Sequence, residues 1–269
     1  MSPREICAAV QTAQWDAARL MLRAHDILAE NKTDRRDVVT QYDRAVQDLL
    51  MERLSAAVPG ARFFCEENDR QDELGAEHLF IIDPIDGTMN FVHHLNHSAI
   101  SVAYSHFGRV EAAAVYNPYV DEMFSAVRGE GAALNGRPIH VDPAPLSETV
   151  ICFGSAPYNP ELTGQTFELA KRAYQSGLDV RRQGSAALDL CSVAAGRAGV
   201  YFELSISLWD YAAGALIVAE AGGQVTRVDG SPLPWSRDKS SVLAADAAKA
   251  AAFLEMAKNS IGEKERSLC

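Results

Sequence analysis

Long apolar runs are missing from this sequence, and none reaches the roughly 20 residues that a membrane-spanning helix needs. Residues 1–5, MSPRE, also lack the basic and then apolar order of a signal peptide. Positive charge is scarce, because 25 Lys and Arg stand against 36 Asp and Glu and give a formal net charge of −11. We therefore expect no membrane partner and no direct nucleic-acid partner, since nucleic acid binds to basic surfaces.

Cysteine is also sparse: the five cysteines are scattered, odd in number and contain no CxxC pair. This pattern is typical of reduced thiols in the cytoplasm rather than of a disulfide framework or a zinc site. The sequence has no Walker phosphate loop, no GxGxxG motif and no Cys-x5-Arg loop. These absences argue against nucleotide-driven chemistry and against a phosphocysteine intermediate.

The first half of the chain, residues 1–145, is predicted to contain two helices followed by a large antiparallel sheet. Ser2-Pro3-Arg4-Glu5 has the form of a capping box, and apolar residues at steps of three and four continue the first helix to Ile27. A second helix begins near Thr40 and stops at Val58-Pro59-Gly60. Short apolar runs separated by turns then fill residues 62–141, with a hairpin turn at Asn135-Gly136.

The second half, residues 146–260, is predicted to be a smaller α/β unit in which strands and helices alternate. Helices are expected at about 160–175, 184–197, 210–221 and 246–258, before a polar tail at 261–269. With 269 residues, of which 48% are hydrophobic, the chain can bury a large core as one wide domain or two joined ones. The predicted class is mixed α+β and α/β.

Acidic residues at the ends of predicted strands carry the most chemistry. Asp83 and Asp86 follow an apolar strand, and Gly87 lets the backbone turn close to a ligand. Glu66-Glu67 follows the preceding strand, so it is expected at the same edge of the sheet. Hard oxygen ligands suit Mg²⁺ or Mn²⁺ rather than zinc. An Asp-Gly turn with solvated carboxylates is the structural alternative.

A third acidic position, Asp210, stands at the start of a predicted helix that ends at Gly222-Gly223. Capping that helix is the structural alternative to a metal-binding role. Three acidic positions at the ends of predicted elements are nevertheless explained better by a shared metal site than by three separate structural roles.

These three segments together resemble the defining motifs of the inositol monophosphatase family. The resemblance extends from Lys32 to about Val242 and includes the run from Asp83 to His93, DPIDGTMNFVH. It implies a layered α/β/α/β/α sandwich, a Mg²⁺-dependent and lithium-sensitive phosphatase activity, and a homodimer. Mg²⁺ is the expected cofactor, Mn²⁺ its alternative, and Li⁺ and Ca²⁺ are expected inhibitors.

The resemblance also implies a role for individual residues. The matching metal ligands are the carboxylates of Glu66, Asp83, Asp86 and Asp210 and the backbone carbonyl of Ile85. Thr88 and Glu66 match the pair that orients the attacking water, and Asp43 matches a carboxylate that binds this threonine. Gly87 and Thr88 match the phosphate-binding amides. Substrate contacts match Ser185, Ala186, Glu203 and Asp210. Lys32 matches a lysine on a mobile loop, with an exposed charged loop (residues 31–37) as the alternative.

The predicted function is hydrolysis of myo-inositol monophosphate, or of a similar small polyol or sugar phosphate, by direct attack of a metal-activated water. The segment Asn90-Phe91-Val92-His93 resembles the inositol branch of the family, whereas Ser207 stands where animal relatives place histidine. Histidinol phosphate and fructose 1,6-bisphosphate are the alternative substrates within this fold. An alternative of another class is a regulatory interaction protein, since some bacterial relatives bind transcription machinery.

Overall fold

The computed structural model describes residues 1–32, 38–67 and 71–266, and the side chains of these residues as far as residue 257. The described residues form seven α-helices, which are α1 (Pro3–Leu22), α2 (Gln41–Ala57), α3 (Thr88–Val92), α4 (Thr163–Ser176), α5 (Ala186–Ala194), α6 (Leu208–Glu220) and α7 (Ala247–Arg266). Two short 3-10 helices occupy Leu146–Glu148 and Pro160–Leu162. Strands β1 (Ala29–Asn31) and β2 (Val38–Thr40) pair with each other as a small ribbon.

The larger sheet has seven strands in chain order, from β3 to β9. Its strands are β3 (Arg62–Cys65), β4 (His78–Asp86), β5 (Ala99–His106), β6 (Arg109–Asn117), β7 (Glu122–Val127), β8 (Gly131–Leu134) and β9 (Arg137–Ile139). All neighbours are antiparallel except β3 and β4, which are parallel. The predicted turn at Asn135-Gly136 is confirmed: it joins β8 to β9, and both residues have the positive φ that such a hairpin turn needs.

Helices α1 and α2 cover the outer face of this sheet. Helix α1 begins at the predicted capping box of Ser2 with Glu5, and α2 begins at the predicted start, Thr40, which forms a capping box with Asp43. The apolar face of α1 packs with Val46, Leu50 and Leu54 of α2 and with alternate side chains of β4, β5 and β6. The first helix ends at Leu22, earlier than predicted, although Ile27 still packs against this core.

The smaller sheet has five strands in the order β11-β10-β12-β14-β13. They are β10 (Val150–Phe153), β11 (Asp179–Arg181), β12 (Val200–Ile206), β13 (Gln224–Thr226) and β14 (Ser240–Ala245). Strand β10 is parallel to β11 and β12, whereas β14 is antiparallel to β12 and β13. Helices α4 and α7 pack on its outer face through a separate apolar cluster that includes Leu169, Phe202 and Phe253.

Helices α5 and α6 form the middle layer, between the two sheets. Their apolar side chains belong to one cluster with Phe64 and Ile81 of the larger sheet and Tyr201 and Val242 of the smaller sheet. The layer order is therefore α/β/α/β/α, as predicted. Because this shared core crosses from one sheet to the other, the two halves are packed together; the division between residues 145 and 146 stays a prediction.

The C-terminal segment is more helical than predicted. Helix α7 continues through Arg266, so the predicted polar tail at 261–269 is helical over most of its length, and residues 267–269 lie outside the described part of the chain. Residues 33–37 of the predicted charged loop also lie outside it. Within the described residues, no helix combines the length and the apolarity that crossing a membrane requires.

The close packing of α5 on α6 depends on Gly214, where an added Cβ would lie 2.6 Å from Leu190 Cβ. We expect Gly214→Ala to lower the free energy of unfolding by about 1–3 kcal/mol, because the two helices must move apart. Gly164→Ala in α4 is the matched control: its Cβ would meet nothing within 4 Å, so the higher helix propensity of alanine should stabilise the protein by about 0.5–1 kcal/mol. Chemical denaturation measures both values, and equal effects of the two changes would contradict this account of the packing.

Candidate functional site

Parallel pairing of β3 and β4 brings two acidic segments to one edge of the larger sheet. Cys65 is in register with Ile82, and the amide of Glu66 donates a hydrogen bond of 3.1 Å to the Ile82 carbonyl. Glu66 therefore follows β3 beside Asp83 of β4. Adjacent parallel strands end at the same edge of a sheet, and for this reason Glu66 and Asp83 become neighbours although they are distant in the sequence.

Three carboxylates form the centre of the site. One oxygen each of Asp83, Asp86 and Asp210 lies within 4.8 Å of the others. Asp83 and Asp86 are buried, and Asp210 is partly exposed. Among the described residues, none of the three forms an ion pair with a lysine or an arginine. The cluster is thus a concentration of negative charge without a compensating side chain.

Asp86 is held by the beginning of α5. Its two carboxylate oxygens accept hydrogen bonds from the hydroxyl of Ser185 and from the amides of Ala186, at 3.3 Å, and Ala187, at 2.8 Å. A helix N-terminus stabilises an anion because its first amides have no partner within the helix. Asp86 still has lone pairs for a cation, since a carboxylate can accept about four contacts.

Asp210 is held in a similar way by the beginning of α6. Ser207 is the N-cap residue, and its amide donates a hydrogen bond of 2.6 Å to Asp210 Oδ2. The helix-capping alternative for Asp210 is therefore correct, and it does not exclude the metal-binding role. Capping fixes the Asp210 side chain at the start of α6, where one of its oxygens lies within 4.8 Å of an oxygen of Asp83 and of an oxygen of Asp86.

Electrostatics of the cluster are set by burial and by like charge. Burial raises the pKa of Asp83 and of Asp210 well above the usual range, and the neighbouring carboxylates, Glu66 first, raise both further. Burial also raises the pKa of Asp86, to about 6, although the donors at the start of α5 offset part of the effect. The cluster therefore favours either protons or a cation.

Gly87 forms the turn between β4 and the short helix α3. Its φ of 87° lies in the left-handed region, and an added Cβ would lie 2.9 Å from the Gly184 carbonyl oxygen. Glycine is required here for both reasons. Helix α3 begins at Thr88, as the prediction of phosphate-binding amides at Gly87 and Thr88 assumes.

Thr88 connects this turn to α2. Its hydroxyl lies 3.2 Å from Asp43 Oδ1 and 3.1 Å from the Ile85 carbonyl oxygen. Asp43 is completely buried, and its other oxygen accepts hydrogen bonds from the amide and hydroxyl of Thr40. Burial raises the pKa of Asp43 to about 6, against the lowering effect of these hydrogen bonds. The expected contact between Thr88 and Asp43 is thus present.

Lys32 lies at the edge of the site and forms ion pairs with Glu66, at 2.9 Å, and with Glu67. Burial lowers the pKa of the Lys32 ammonium group, but the two carboxylates more than offset this and raise it overall. Burial raises the pKa of Glu67 to about 7. Lys32 is therefore a folded part of the site.

The predicted substrate contacts line the same pocket but already have partners within the protein. Ser185 and Ala186 bind Asp86, as described above. Glu203 is buried, and its carboxylate accepts hydrogen bonds from the amide of Ala156, at 2.8 Å, and the hydroxyl of Tyr201, at 2.7 Å. Gly154 makes room for it, because an added Cβ there would lie 1.8 Å from Glu203 Oε2.

All but one of the predicted site residues line a single pocket of about 460 Å³. They are Lys32, Glu66, Asp83, Ile85, Asp86, Gly87, Thr88, Ser185, Ala186, Glu203 and Asp210, while Asp43 lies behind Thr88. This volume is within the range of about 300–1,000 Å³ that is usual for small-molecule sites. The proximity of these residues agrees with the predicted site; their individual roles stay predictions.

The structure adds residues to this pocket that the motifs do not indicate. Asp189 of α5 is buried behind it, and burial raises the pKa of its carboxyl group to about 8, although Gln183 donates a hydrogen bond to it. Arg182 and Lys239 lie at its wall. Asp189 could have been suspected from sequence, because it is the only charged residue in an otherwise apolar helix, whereas the other two belong to loops without a pattern.

The donor set fits a divalent cation of the Mg²⁺ type. All donors are carboxylate oxygens, with the Ile85 carbonyl beside them, and no histidine or cysteine belongs to the described cluster. Hard cations prefer such oxygen ligands. A cation would also relieve the repulsion that raises the pKa values of Asp83 and Asp210.

Comparison with known proteins agrees with this fold and site. The model of the inositol monophosphatase family matches residues 2–261, and the chain belongs to that family. An inositol-1-monophosphatase of Mesorhizobium japonicum is 40% identical over 195 residues, which are 72% of this chain and 73% of the relative. The Nus factor SuhB of Pasteurella multocida is also 40% identical over 195 residues, with the same coverage.

Solved structures give the same assignment. The extragenic suppressor protein suhB of Bartonella henselae superposes with a TM-score of 0.85 at 32% identity, over 93% of this chain and 96% of the other. The inositol monophosphatase of Anabaena (Nostoc) sp. PCC 7120 gives a TM-score of 0.84 at 29% identity, over 95% and 96%. An IMPase/NADP phosphatase complexed with Mg²⁺ and phosphate gives 0.81 at 25% identity, over 94% and 93%.

The charge of the cluster predicts how stability depends on pH and on metal. Between about pH 4, the pKa of an unfolded Asp, and about 6, the pKa of Asp86, the folded protein binds more protons than the unfolded chain. Without metal, the free energy of unfolding should therefore fall as pH rises through this range and above it. Thermal unfolding in EDTA from pH 5 to pH 8 measures this decrease, and a midpoint that rises with pH would contradict it.

Asp83→Asn should remove most of the stabilisation that Mg²⁺ provides. Removing one of three repelling charges should raise the unfolding temperature in EDTA at pH 8, while the gain in unfolding temperature on adding Mg²⁺ should be largely lost. Asp48→Asn, an exposed change on α2, is the control and should leave the gain unchanged. If Mg²⁺ raises the unfolding temperature of the Asp83→Asn variant as much as that of wild type, Asp83 does not hold the cation.

Proposed function

We propose that this protein is a Mg²⁺-dependent phosphomonoesterase that hydrolyses a small phosphorylated polyol. The observation that supports this most directly is the cluster of Asp83, Asp86 and Asp210 beside the turn at Gly87 and Thr88. A phosphate monoester is an anion, so an acidic pocket can bind it only when cations reverse the local charge. Family membership supports the same reaction class.

The proposed metal ligands are Glu66, Asp83, Asp86, Asp210 and the carbonyl of Ile85. A bound divalent cation would supply Lewis-acid stabilisation of the charge on the phosphate and of the leaving oxygen. The amides of Gly87 and Thr88 are proposed to hold the phosphate oxygens, since a helix start provides amides without partners. These fixed dipoles cost no reorganisation during the reaction.

Thr88 is proposed to orient the attacking water together with Glu66. The Thr88 hydroxyl has one proton, and Asp43 Oδ1 and the Ile85 carbonyl are both placed to accept it. If the Ile85 carbonyl is a metal ligand, the Thr88 hydroxyl donates its hydrogen bond to Asp43. The lone pairs of Thr88 Oγ1 then remain to accept a hydrogen bond from water. No side chain is then needed as a nucleophile, and we expect no phosphoenzyme intermediate in rapid-quench experiments with labelled substrate.

The proposed substrate is myo-inositol monophosphate, with histidinol phosphate and fructose 1,6-bisphosphate as alternatives. Glu203 belongs to the pocket and suits a polyol, because a carboxylate accepts hydrogen bonds from neighbouring hydroxyl groups. A homodimer and a cytoplasmic location stay predictions. A phosphate-release screen over these three esters and adenosine 3′,5′-bisphosphate, with and without Mg²⁺ and Li⁺, tests the proposal. Absence of release from all of them in Mg²⁺ would refute it.

The role of Thr88 has its own test. We expect Thr88→Val to lower kcat for the best substrate of the screen by about 10²-fold, because the attacking water loses the hydroxyl that orients it. Thr88→Ser keeps the hydroxyl and should retain most of the activity. Thr12→Val on α1, where the hydroxyl bonds only to the Ala8 carbonyl, is the matched control. Equal activity of the valine and serine variants at position 88 would exclude a role for the hydroxyl.

A second candidate function is a regulatory interaction, and it is supported by the names of several relatives. Nus factor SuhB of Pseudomonas aeruginosa is 38% identical over 211 residues, and that of Escherichia coli K12 is 36% identical over 207. Asp83→Asn separates the two candidates, because it should remove phosphatase activity and keep the outer surface. If this variant restores the phenotype of a deletion strain as well as wild type does, the cellular function is the interaction; if it fails while remaining folded, the function is catalysis.

A further inference from the structure

The pocket contains positive charges that the proposed reaction does not use. Four cationic side chains line it, namely Lys32, Arg182, Arg237 and Lys239. Lys32 is paired with Glu66 and Glu67, as described above. Arg237 donates hydrogen bonds to the carbonyls of Gln71 and Asp72, at 3.1 and 3.0 Å. These two cations therefore have partners within the fold, and the other two require a separate explanation.

Arg182 and Lys239 have no carboxylate partner within 4.0 Å among the described residues. Arg182 precedes the start of α5 and donates one hydrogen bond, of 3.0 Å, to the hydroxyl of Ser155. Lys239 precedes β14, and its ammonium group lies 4.9 Å from the centre of the Tyr158 ring. A ring below an ammonium group restrains it without neutralising its charge. Both side chains are exposed, and both line the pocket.

Glu203 lies near both cations but is not their ion-pair partner. Its two oxygens are bonded to the Ala156 amide and the Tyr201 hydroxyl. Arg182 and Lys239 act on it from a distance: burial raises the pKa of Glu203, and the two cations lower it by a smaller amount. Contacts with one segment, residues 155–158, agree with this: Arg182 bonds to Ser155, Glu203 accepts from the Ala156 amide, and Lys239 lies over the Tyr158 ring.

Their position in the pocket distinguishes Arg182 and Lys239 from exposed cations elsewhere on the surface. The chain carries 36 acidic and 25 basic residues, so carboxylates are plentiful elsewhere on the surface. Two cations at the wall of this pocket of about 460 Å³, neither within 4.0 Å of a described carboxylate, therefore suit an anion that enters from solution. Arg182 offers a planar fork of donors, and phosphate and carboxylate groups accept such a fork through two oxygens.

We propose that Arg182 and Lys239 form a second anion subsite, which favours a polyol phosphate with another anionic group, such as the alternative fructose 1,6-bisphosphate, over the single-phosphate ester myo-inositol monophosphate. The phosphate that is cleaved would lie at the carboxylate cluster, and the second group, a phosphate or a carboxylate, would lie at the two cations. This inference rests on the proposed phosphomonoesterase function and specifies the class of substrate for the same pocket. A polyol with a single phosphate would leave the subsite filled by water and buffer ions.

Two pairs of ligands test the subsite, each differing in one anionic group. Fructose 1,6-bisphosphate is compared with fructose 1-phosphate, and 6-phosphogluconate with glucitol 6-phosphate, so that the first pair tests a second phosphate and the second pair a carboxylate. In wild type we expect kcat/KM in Mg²⁺ to be about tenfold higher for the member with two anionic groups in at least one pair. In Arg182→Ala/Lys239→Ala the ratio within that pair should fall to about one.

The control variant is Arg181→Ala/Lys171→Ala, which removes two exposed cations that do not line the pocket and should leave the ratio at its wild-type value. Affinities are also measured by calorimetry in Ca²⁺, the expected inhibitory ion, and should follow the same pattern. Equal kcat/KM and equal affinity within both pairs in wild type would overturn the proposal, as would a ratio that survives in Arg182→Ala/Lys239→Ala. Loss of phosphate release from all four esters would instead refute the phosphomonoesterase function, while the affinities would still decide on the subsite.

Discussion

Repulsion among three carboxylates at the centre of the molecule is the constraint that the surrounding structure accommodates. Asp83, Asp86 and Asp210 lie within 4.8 Å of one another, and no lysine or arginine of the described chain pairs with them. The fold holds them with backbone amides instead: the start of α5 binds Asp86 and the start of α6 binds Asp210. Helix N-termini can hold anions in this way without occupying all their lone pairs. The result is a rigid acidic site that remains open to a cation.

This constraint explains why the middle layer is so closely packed. Helices α5 and α6 must both begin at the pocket and then pass between two sheets, so their contact is made by small residues such as Gly214. The core that they share with both sheets fixes the distance between Asp86, which belongs to the larger sheet, and Asp210, which begins the helix layer. Packing far from the pocket therefore controls geometry within it.

The part of the pocket around Glu203 is built differently from the carboxylate cluster. Glu203, Tyr201 and Asp189 are buried, and the Tyr201 hydroxyl donates a hydrogen bond to Glu203. Arg182 and Lys239 are exposed and form no ion pair within the described residues. Buried groups fix a shape, and exposed cations attract charge over longer distances. Under the proposed function, the reaction class and the choice of substrate would depend on separate sets of residues.

The sequence by itself determined the helix starts at Ser2 and Thr40 and the acidic residues of the site, because local patterns carry that information, whereas the layered fold was implied by the family resemblance. It also indicated Thr88 with Asp43 through the family resemblance. Only the tertiary structure decided which acidic groups meet, since the parallel pairing of β3 with β4 and the starts of α5 and α6 are long-range contacts. The same holds for Arg182 and Lys239: they lie in loops without periodicity, and folding alone brings their charges to one pocket.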